Sequence, residues 1–74
     1  MIRLSPRETE ALALYVKLGR WTLVSQEMGV SIRTVKDHRS GAMRKLGAAN
    51  SVQLVRAAIE RGLVDRNSRK DENL

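Results

Sequence analysis

Apolar residues recur at helical spacing in four separate segments of the 74-residue chain. The first segment, "LSPRETEALALYVKLG", opens with Ser5, Pro6 and Glu8 at the positions of an N-cap, a first-turn proline and the acid of a capping box. The apolar positions then repeat at i, i+3 and i+4, which predicts a helix over Pro6–Leu18 that ends at Gly19. The predicted core face of this helix consists of Ala11, Leu12, Tyr15, Val16 and Leu18.

The second segment, "RWTLVSQEMG", is shorter. It predicts a helix that begins at Trp21 or Thr22, ends at Met28 and is closed by Gly29. The residues expected to face inward are Leu23, Val24 and Met28.

The third segment predicts a helix over Ile32–Leu46, with Ser31 as its N-cap and Gly47 at its end. Only a short turn that contains Gly29 separates it from the second helix, which is the layout of a helix-turn-helix. A turn of about 100° per residue places its core residues on one side. These are Val35, Ala42 and Leu46, flanked by Met43.

The fourth segment predicts a helix that follows the N-cap Asn50, runs to about Arg61 and stops at Gly62. The remaining ten residues, "DRNSRKDENL", have three positive and three negative side chains and no apolar periodicity. We therefore predict a single domain over residues 1–64 and a flexible charged tail over residues 65–74.

These four helices define an all-α fold, a four-helix bundle with a helix-turn-helix. The apolar residues are mainly aliphatic, with one Trp, one Tyr and no Phe, which suits small packed helices. A chain this short has no room for a deep substrate cavity, and it contains no Ser/His/Asp set, carboxylate pair or phosphate-binding loop. We predict that it is not an enzyme and has neither catalytic residues nor a cofactor.

Fourteen Lys or Arg against eight Asp or Glu give a formal net charge of +6. This excess favours a polyanionic partner, nucleic acid first and an acidic membrane surface second. The chain has no cysteine, which excludes disulfides and suits a reducing cytosol. It has no apolar run near the roughly 20 residues that span a bilayer. We expect a cytoplasmic protein, associated with the nucleoid when bound to DNA, and no membrane partner.

The third helix collects its charge on the side opposite its core residues. That polar face comprises Arg33, Lys36, Asp37, Ser40 and Arg44. Arg and Lys can contact guanine or phosphate in a major groove, and a small Ser lets the backbone come close to base edges. The pattern favours double-stranded DNA as the partner, and a face that is merely solvated is the alternative.

Two other residues of this helix need an interpretation. His38 is the only histidine and lies beside the core stripe, so we expect a packed or backbone-bonded margin residue, with a phosphate contact as the alternative, and no metal site. Gly41 costs about 1 kcal/mol of helix propensity relative to Ala. We interpret its missing side chain as room for close approach of DNA, in which case Gly41→Ala raises stability and lowers affinity.

"LSPRE" followed by "EMGVSIRTVKDHRSGAMRKLGAANSVQLVRAAIERGLV" resembles the LuxR/FixJ-type helix-turn-helix DNA-binding domain. The likeness covers about residues 3–64, and the order and spacing of its short motifs are far more specific than any one of them. It implies that the second and third helices form the helix-turn-helix and that the third enters the major groove. It also implies a homodimer, formed through the fourth helix, that regulates transcription.

Position by position, the resemblance implies base contacts by Lys36, Asp37 and Ser40. It implies DNA backbone contacts by Arg33, Thr34, Arg44 and Lys45. Glu8 matches a family Glu that caps the first helix, and we expect it to pair with a basic side chain. Further candidate partners are RNA polymerase and another LuxR-type regulator.

The chain departs from the family pattern at the start of the second helix. Arg20 and Leu23 stand where a capping Ser or Thr and a Glu are usual, so Trp21 and Thr22 must rebuild that helix start. We favour packing of Trp21 at the domain edge over contact with the DNA backbone. Regulators of this type usually carry a receiver or small-molecule-binding domain ahead of the helix-turn-helix. The initiating Met1 favours a free-standing regulator over a fragment.

The fourth helix has more apolar surface than so small a core needs, and the excess is predicted to form a dimer interface. The interface candidates are Val52, Val55, Ala58 and Ile59. For Val52 and Val55 a core position is an equal alternative. A different function is also open, that of a small interaction module that binds and modulates a larger LuxR-type regulator. A promoter-reading domain like that of a sigma factor is disfavoured by the fourth helix.

Overall fold

The computed structural model describes residues 3–64, which form four α-helices and no strand. The helices are α1 (Pro6–Leu18), α2 (Trp21–Met28), α3 (Ile32–Leu46) and α4 (Ser51–Glu60). The prediction of an all-α, four-helix fold is confirmed, and α4 ends one residue earlier than expected. The predicted tail over residues 65–74 lies outside the described residues.

Local capping explains why the helices begin where they do. The Ser5 hydroxyl accepts the backbone N–H of Glu8 at 3.1 Å, and the Glu8 carboxylate accepts the backbone N–H of Ser5 at 2.9 Å, which completes the capping box of α1. Asn50 caps α4 through the backbone N–H of Gln53 at 2.9 Å. Helix α2 is the exception, because its N-cap residue, Arg20, forms no capping hydrogen bond through its side chain.

The turn between α2 and α3 is three residues long. Gly29 takes a left-handed conformation with φ of 69°, which a residue with a Cβ adopts only at a cost. The next residue, Val30, donates its N–H to the Ser25 carbonyl at 3.0 Å, and Ser31 then caps α3. The turn has the helix-turn-helix length that the sequence predicted.

The core has two parts, and α1 contributes to both. Ala11, Val24 and Val35 join α1, α2 and the first half of α3. The larger part joins α1, the second half of α3, α4 and the segments that flank them. It consists of Leu4, Leu12, Val16, Ala42, Leu46, Leu54, Ala58 and Val64. The predicted α3 core residues Val35, Ala42 and Leu46 are therefore confirmed as buried.

Two expected positions were wrong. Leu23 was predicted to face inward, but 38% of it is exposed, because the short α2 buries Val24 and Ser25 instead. Ala58 was predicted at a dimer interface, but it is fully buried inside this chain and packs in the core. None of the four helices is long and apolar enough to cross a membrane.

Candidate nucleic-acid interface

The polar face of α3 is open to solvent along its whole length. All five of its members, Arg33, Lys36, Asp37, Ser40 and Arg44, are exposed. On the other side of the helix Val35 and Ala42 are at most 1% exposed, so packing against α1, α2 and α4 fixes the orientation of this face. The structure thus brings together on one surface every residue predicted there.

Positive charge is concentrated on α3. The helix has five Lys or Arg and one Asp, a net four of the six formal positive charges of the chain. Within residues 3–64 the only ion pairs are Arg7–Glu10 and Lys45–Glu8. In that part of the chain, Arg33, Lys36 and Arg44 therefore form no ion pair with a carboxylate, and their charge is available to a partner.

The amino-terminal turn of α3 also favours an anion. Ser31 accepts the backbone N–H of Thr34 at 3.1 Å, and the hydroxyls of the two residues lie 3.0 Å apart. This first turn contains no acidic residue and does contain Arg33. A cation at the positive end of a helix dipole is unfavourable by itself. A bound anion would be attracted by both the dipole and the Arg33 guanidinium.

Lys45 differs from the other predicted backbone contacts, because its ammonium already has a partner. Its Nζ lies 2.8 Å from Oε1 of Glu8, and this joins the end of α3 to the start of α1. The expected pairing of Glu8 with a basic side chain is confirmed. Burial raises the pKa of Glu8, but Lys45 and the hydrogen bonds from Ser5 lower it more, so the net pKa lies below its usual value.

The interpretation of Gly41 was wrong. Gly41 is buried and faces Glu8, not the solvent. A Cβ at this position would overlap Glu8 Oε2 and lie 3.4 Å from Glu8 Cδ. The close approach that this glycine permits is therefore made inside the chain.

Trp21 packs within the domain, as favoured above. Its ring stacks on Tyr15 with centroids 4.0 Å apart and an angle of 8° between the planes, and its Nε1 donates to the Ser51 hydroxyl at 3.2 Å. The guanidinium of Arg39 lies 5.8 Å from the centre of the same ring. Sequence reasoning missed the Arg39 contact, because the two residues are on different helices and share no motif.

His38 is half-buried at the margin of α3, where it was expected. Within residues 3–64, no group of three or more His, Asp or Glu side chains is placed to hold a metal ion.

A second surface lies on α4, and it is apolar. Val52 is 70% exposed, and Val55 and Ile59 are half-buried beside it. We call these three residues the α4 apolar strip. A groove of about 480 Å³ runs along the strip where α4 meets the end of α1, with Tyr15 and Gly19 on its far wall. Three of the four predicted interface residues thus have free surface, and Ala58 does not.

Comparison with known proteins agrees with this architecture. Residues 3–58 match the family model described as bacterial regulatory proteins, luxR family. The chain belongs to this family, and the resemblance found in the sequence is confirmed. The family is a class of DNA-binding transcription regulators, not of enzymes.

The relatives that match are longer proteins. The chain is 36% identical over 53 residues to the transcriptional regulatory protein RcsB of Escherichia coli K12, which covers 72% of this chain and 24% of RcsB. It is 42% identical over 60 residues to the transcriptional activator protein CarR of Pectobacterium carotovorum, which covers 81% of this chain and 25% of CarR. The chain therefore spans about a quarter of the length of these relatives.

A solved structure has the same fold. The VqmA dimer of Vibrio cholerae, described as a LuxR-type receptor in the absence of its target DNA, superimposes with a TM-score of 0.79 at 32% identity. The match covers 85% of this chain and 28% of the VqmA chain.

Proposed function

We propose that this chain is the sequence-specific DNA-binding part of a transcriptional regulator that acts as a homodimer, with α3 in the major groove. The main support is the polar face of α3. All five of its members are exposed, and three of them are cations without an ion-pair partner in the described part of the chain. A face that is only solvated would need neither an excess of positive charge nor a short turn that exposes one side of the helix.

The dimensions of α3 suit a groove. Fifteen residues make a helix about 22 Å long, and the major groove of B-DNA is about 12 Å wide, enough to admit one helix. Lys36 and Ser40 are one turn apart on the exposed side. In this proposal Lys36 donates to guanine O6 or N7, and Ser40 contacts an adjacent base edge.

Asp37 is negatively charged, so it is unsuited to a phosphate contact and indicates a contact with a base. A carboxylate near the DNA backbone is repelled, whereas in the groove it can accept from the amino group of cytosine. Asp37 is exposed next to Lys36. Together the two residues would favour a G·C or C·G pair in each half-site.

Backbone contacts are assigned to the two ends of α3. Arg33 and Thr34 lie in its first turn, where the helix dipole adds to the attraction of a phosphate. Arg44 lies in its last turn and is exposed. Lys45, the fourth residue predicted for this role, is omitted here because its ammonium is bonded to Glu8.

The α4 apolar strip is proposed as the contact between two copies. Val52 is 70% exposed, the higher fraction of the two exposed large apolar residues in the described chain, and the adjacent groove could receive the same residue of a second copy. A two-fold contact of this kind uses the same surface on both partners. The VqmA structure, which shares this fold, is that of a dimer.

Selection of bound duplexes from a random DNA pool tests both parts of the proposal. Two-fold symmetry should place the half-sites about 34 Å apart, one turn of DNA, or a multiple of that distance. We expect an enriched palindrome with G·C pairs in each half-site. Enrichment of single half-sites would contradict the dimer, and no enrichment would contradict sequence-specific binding.

The interaction module described above remains the second candidate, because the α4 apolar strip could equally receive the fourth helix of a larger LuxR-type regulator. Sedimentation of the chain mixed with a larger LuxR-type regulator, with and without a duplex, separates the two functions. Co-sedimentation with DNA at moderate salt supports the first, and a heterodimer that never associates with duplex supports the second. We also propose a cytoplasmic location, as expected for a regulator that acts on the nucleoid.

A further inference from the structure

The Glu8 carboxylate connects two ends of the domain. Its Oε1 accepts the backbone N–H of Ser5 at 2.9 Å and the Lys45 ammonium at 2.8 Å, and 89% of the side chain is removed from solvent. Its Oε2 lies against the backbone of α3 at Gly41. Gly41 and Lys45 are four residues apart and hence adjacent on the surface of α3, so one carboxylate contacts both.

Gly41 makes this arrangement possible. Any larger residue would place a Cβ in contact with Oε2, and the carboxylate would have to move. Oε1 of the same carboxylate accepts from the Ser5 N–H and the Lys45 ammonium, so movement of the carboxylate away from α3 would weaken both contacts. The glycine therefore has a cost in helix propensity that the Glu8 contacts offset.

We propose that Gly41 admits the Glu8 carboxylate against α3 and that Glu8, as a positioning residue, holds the Lys45 ammonium away from DNA. The part that concerns DNA rests on the function proposed above. In this arrangement the last turn of α3 gives one phosphate contact, from Arg44, although two adjacent cations are present there.

Arg44 provides the contrast. It is exposed and has no carboxylate within ion-pair distance in residues 3–64, whereas Lys45 is half-buried and paired. The guanidinium of Arg44 comes no closer than 4.0 Å to the position that a Cβ of residue 41 would occupy. Glu8 thus forms an ion pair with only one of two neighbouring cations of equal formal charge.

Thermal unfolding tests the Glu8–Gly41 contact without DNA. Gly41→Ala is made in the natural chain and in a Glu8→Ala background, in which no carboxylate lies against residue 41. In the second background we expect Tm to rise by roughly 5 °C, the size of the helix-propensity gain in a domain this small. In the natural chain we expect Tm to fall. Equal shifts in the two backgrounds would overturn the contact.

Salt dependence of DNA binding tests the role of Lys45. Each phosphate contact adds about 0.9 to the slope of log affinity against log salt. With a fluorescein-labelled 30-base-pair duplex of random sequence as the probe, Lys45→Gln should leave this slope unchanged in the natural chain. In the Glu8→Gln background the same substitution should flatten the slope by about 0.9 per bound copy, or about 3.5-fold in affinity between 50 and 200 mM salt.

Glu8→Gln suits this test because its amide oxygen can still accept the Ser5 N–H, so the cap is kept while the charge is lost. Glu10→Gln is the matched control, with the same change of charge at an exposed position of the same helix. An equal loss of slope on Lys45→Gln in both backgrounds would show that Lys45 contacts DNA in spite of Glu8. If the natural chain binds no duplex, the proposed function fails, and the unfolding comparison still decides the Glu8–Gly41 contact.

Discussion

Trp21 donates its indole N–H to the Ser51 hydroxyl over 3.2 Å, which bonds the first residue of α2 directly to the first residue of α4. The same ring stacks on Tyr15 of α1 and lies 5.8 Å from the guanidinium of Arg39 on α3. One side chain therefore contacts all three of the other helices. It also compensates for the missing cap of α2 by fixing that helix start through tertiary contacts.

Trp21→Ala should destabilise the fold strongly, because it removes the aromatic stack and the hydrogen bond together. Burial of Trp21 is partial, so we expect a loss of about 2–3 kcal/mol in the free energy of unfolding, somewhat less than for a fully buried Trp. Ser51→Ala is the control that removes only the hydrogen bond, at about 1 kcal/mol. Urea denaturation measures both. Equal losses for the two variants would show that the stack contributes nothing.

Glu8 should make the free energy of unfolding of the domain depend on pH in the acid range. The folded-state pKa of Glu8 is lowered below its ordinary value of 4.5, so its ionised form stabilises the fold above that pH. This contribution is lost as the pH falls below 4.5 through the folded-state pKa. Glu8→Gln should therefore weaken the decline of Tm between about pH 5 and pH 3. Glu10→Gln, the same substitution at an exposed position of the same helix, is the control. Equal effects would contradict a special role for Glu8.

The helix bounds could be predicted because the signals that set them are local. Ser5, Ser31 and Asn50 each cap a helix within three residues of themselves, and the apolar repeat identifies the buried face. The same reasoning failed for Leu23, because α2 spans only about two turns and its buried stripe is correspondingly narrow.

Contacts between distant residues were beyond sequence reasoning. Lys45 is 37 residues from Glu8, and no spacing rule connects them, although the family resemblance did imply a basic partner for Glu8. Gly41 was misinterpreted for the same reason, since nothing in the sequence places Glu8 against α3. The polar face of α3 was correct in composition because one helix determines it alone.

Lys36→Ala should lower both the affinity and the selectivity of DNA binding. If Lys36 contacts a guanine, its loss should cost about 1–3 kcal/mol against the selected duplex and relax the base preference at one position of each half-site. Lys17→Ala is the matched control, because it removes the same charge from an exposed site at the end of α1. Fluorescence anisotropy at fixed salt compares the two. A similar loss of affinity for both variants would show that the Lys36 effect comes from the change in net charge alone.

Val52→Glu should disrupt the proposed contact between copies. It places a carboxylate at the amino-terminal end of the α4 apolar strip, at its most exposed residue, where a contact between copies would remove that charge from water without a partner. Sedimentation should show a dimer for the natural chain and a monomer for the variant. The variant should also lose its advantage on palindromic over single half-sites.

Leu23→Glu is the control for this substitution. Leu23 is the other exposed large apolar residue of the described chain, and it lies on α2, outside the α4 apolar strip. Its replacement should leave the dimer intact, because loss of exposed apolar area alone does not weaken a contact made elsewhere. If both variants become monomeric, the interface includes α2. If neither does, or if the natural chain is itself monomeric at tens of micromolar, α4 does not join two copies and the exposed Val52 needs another partner.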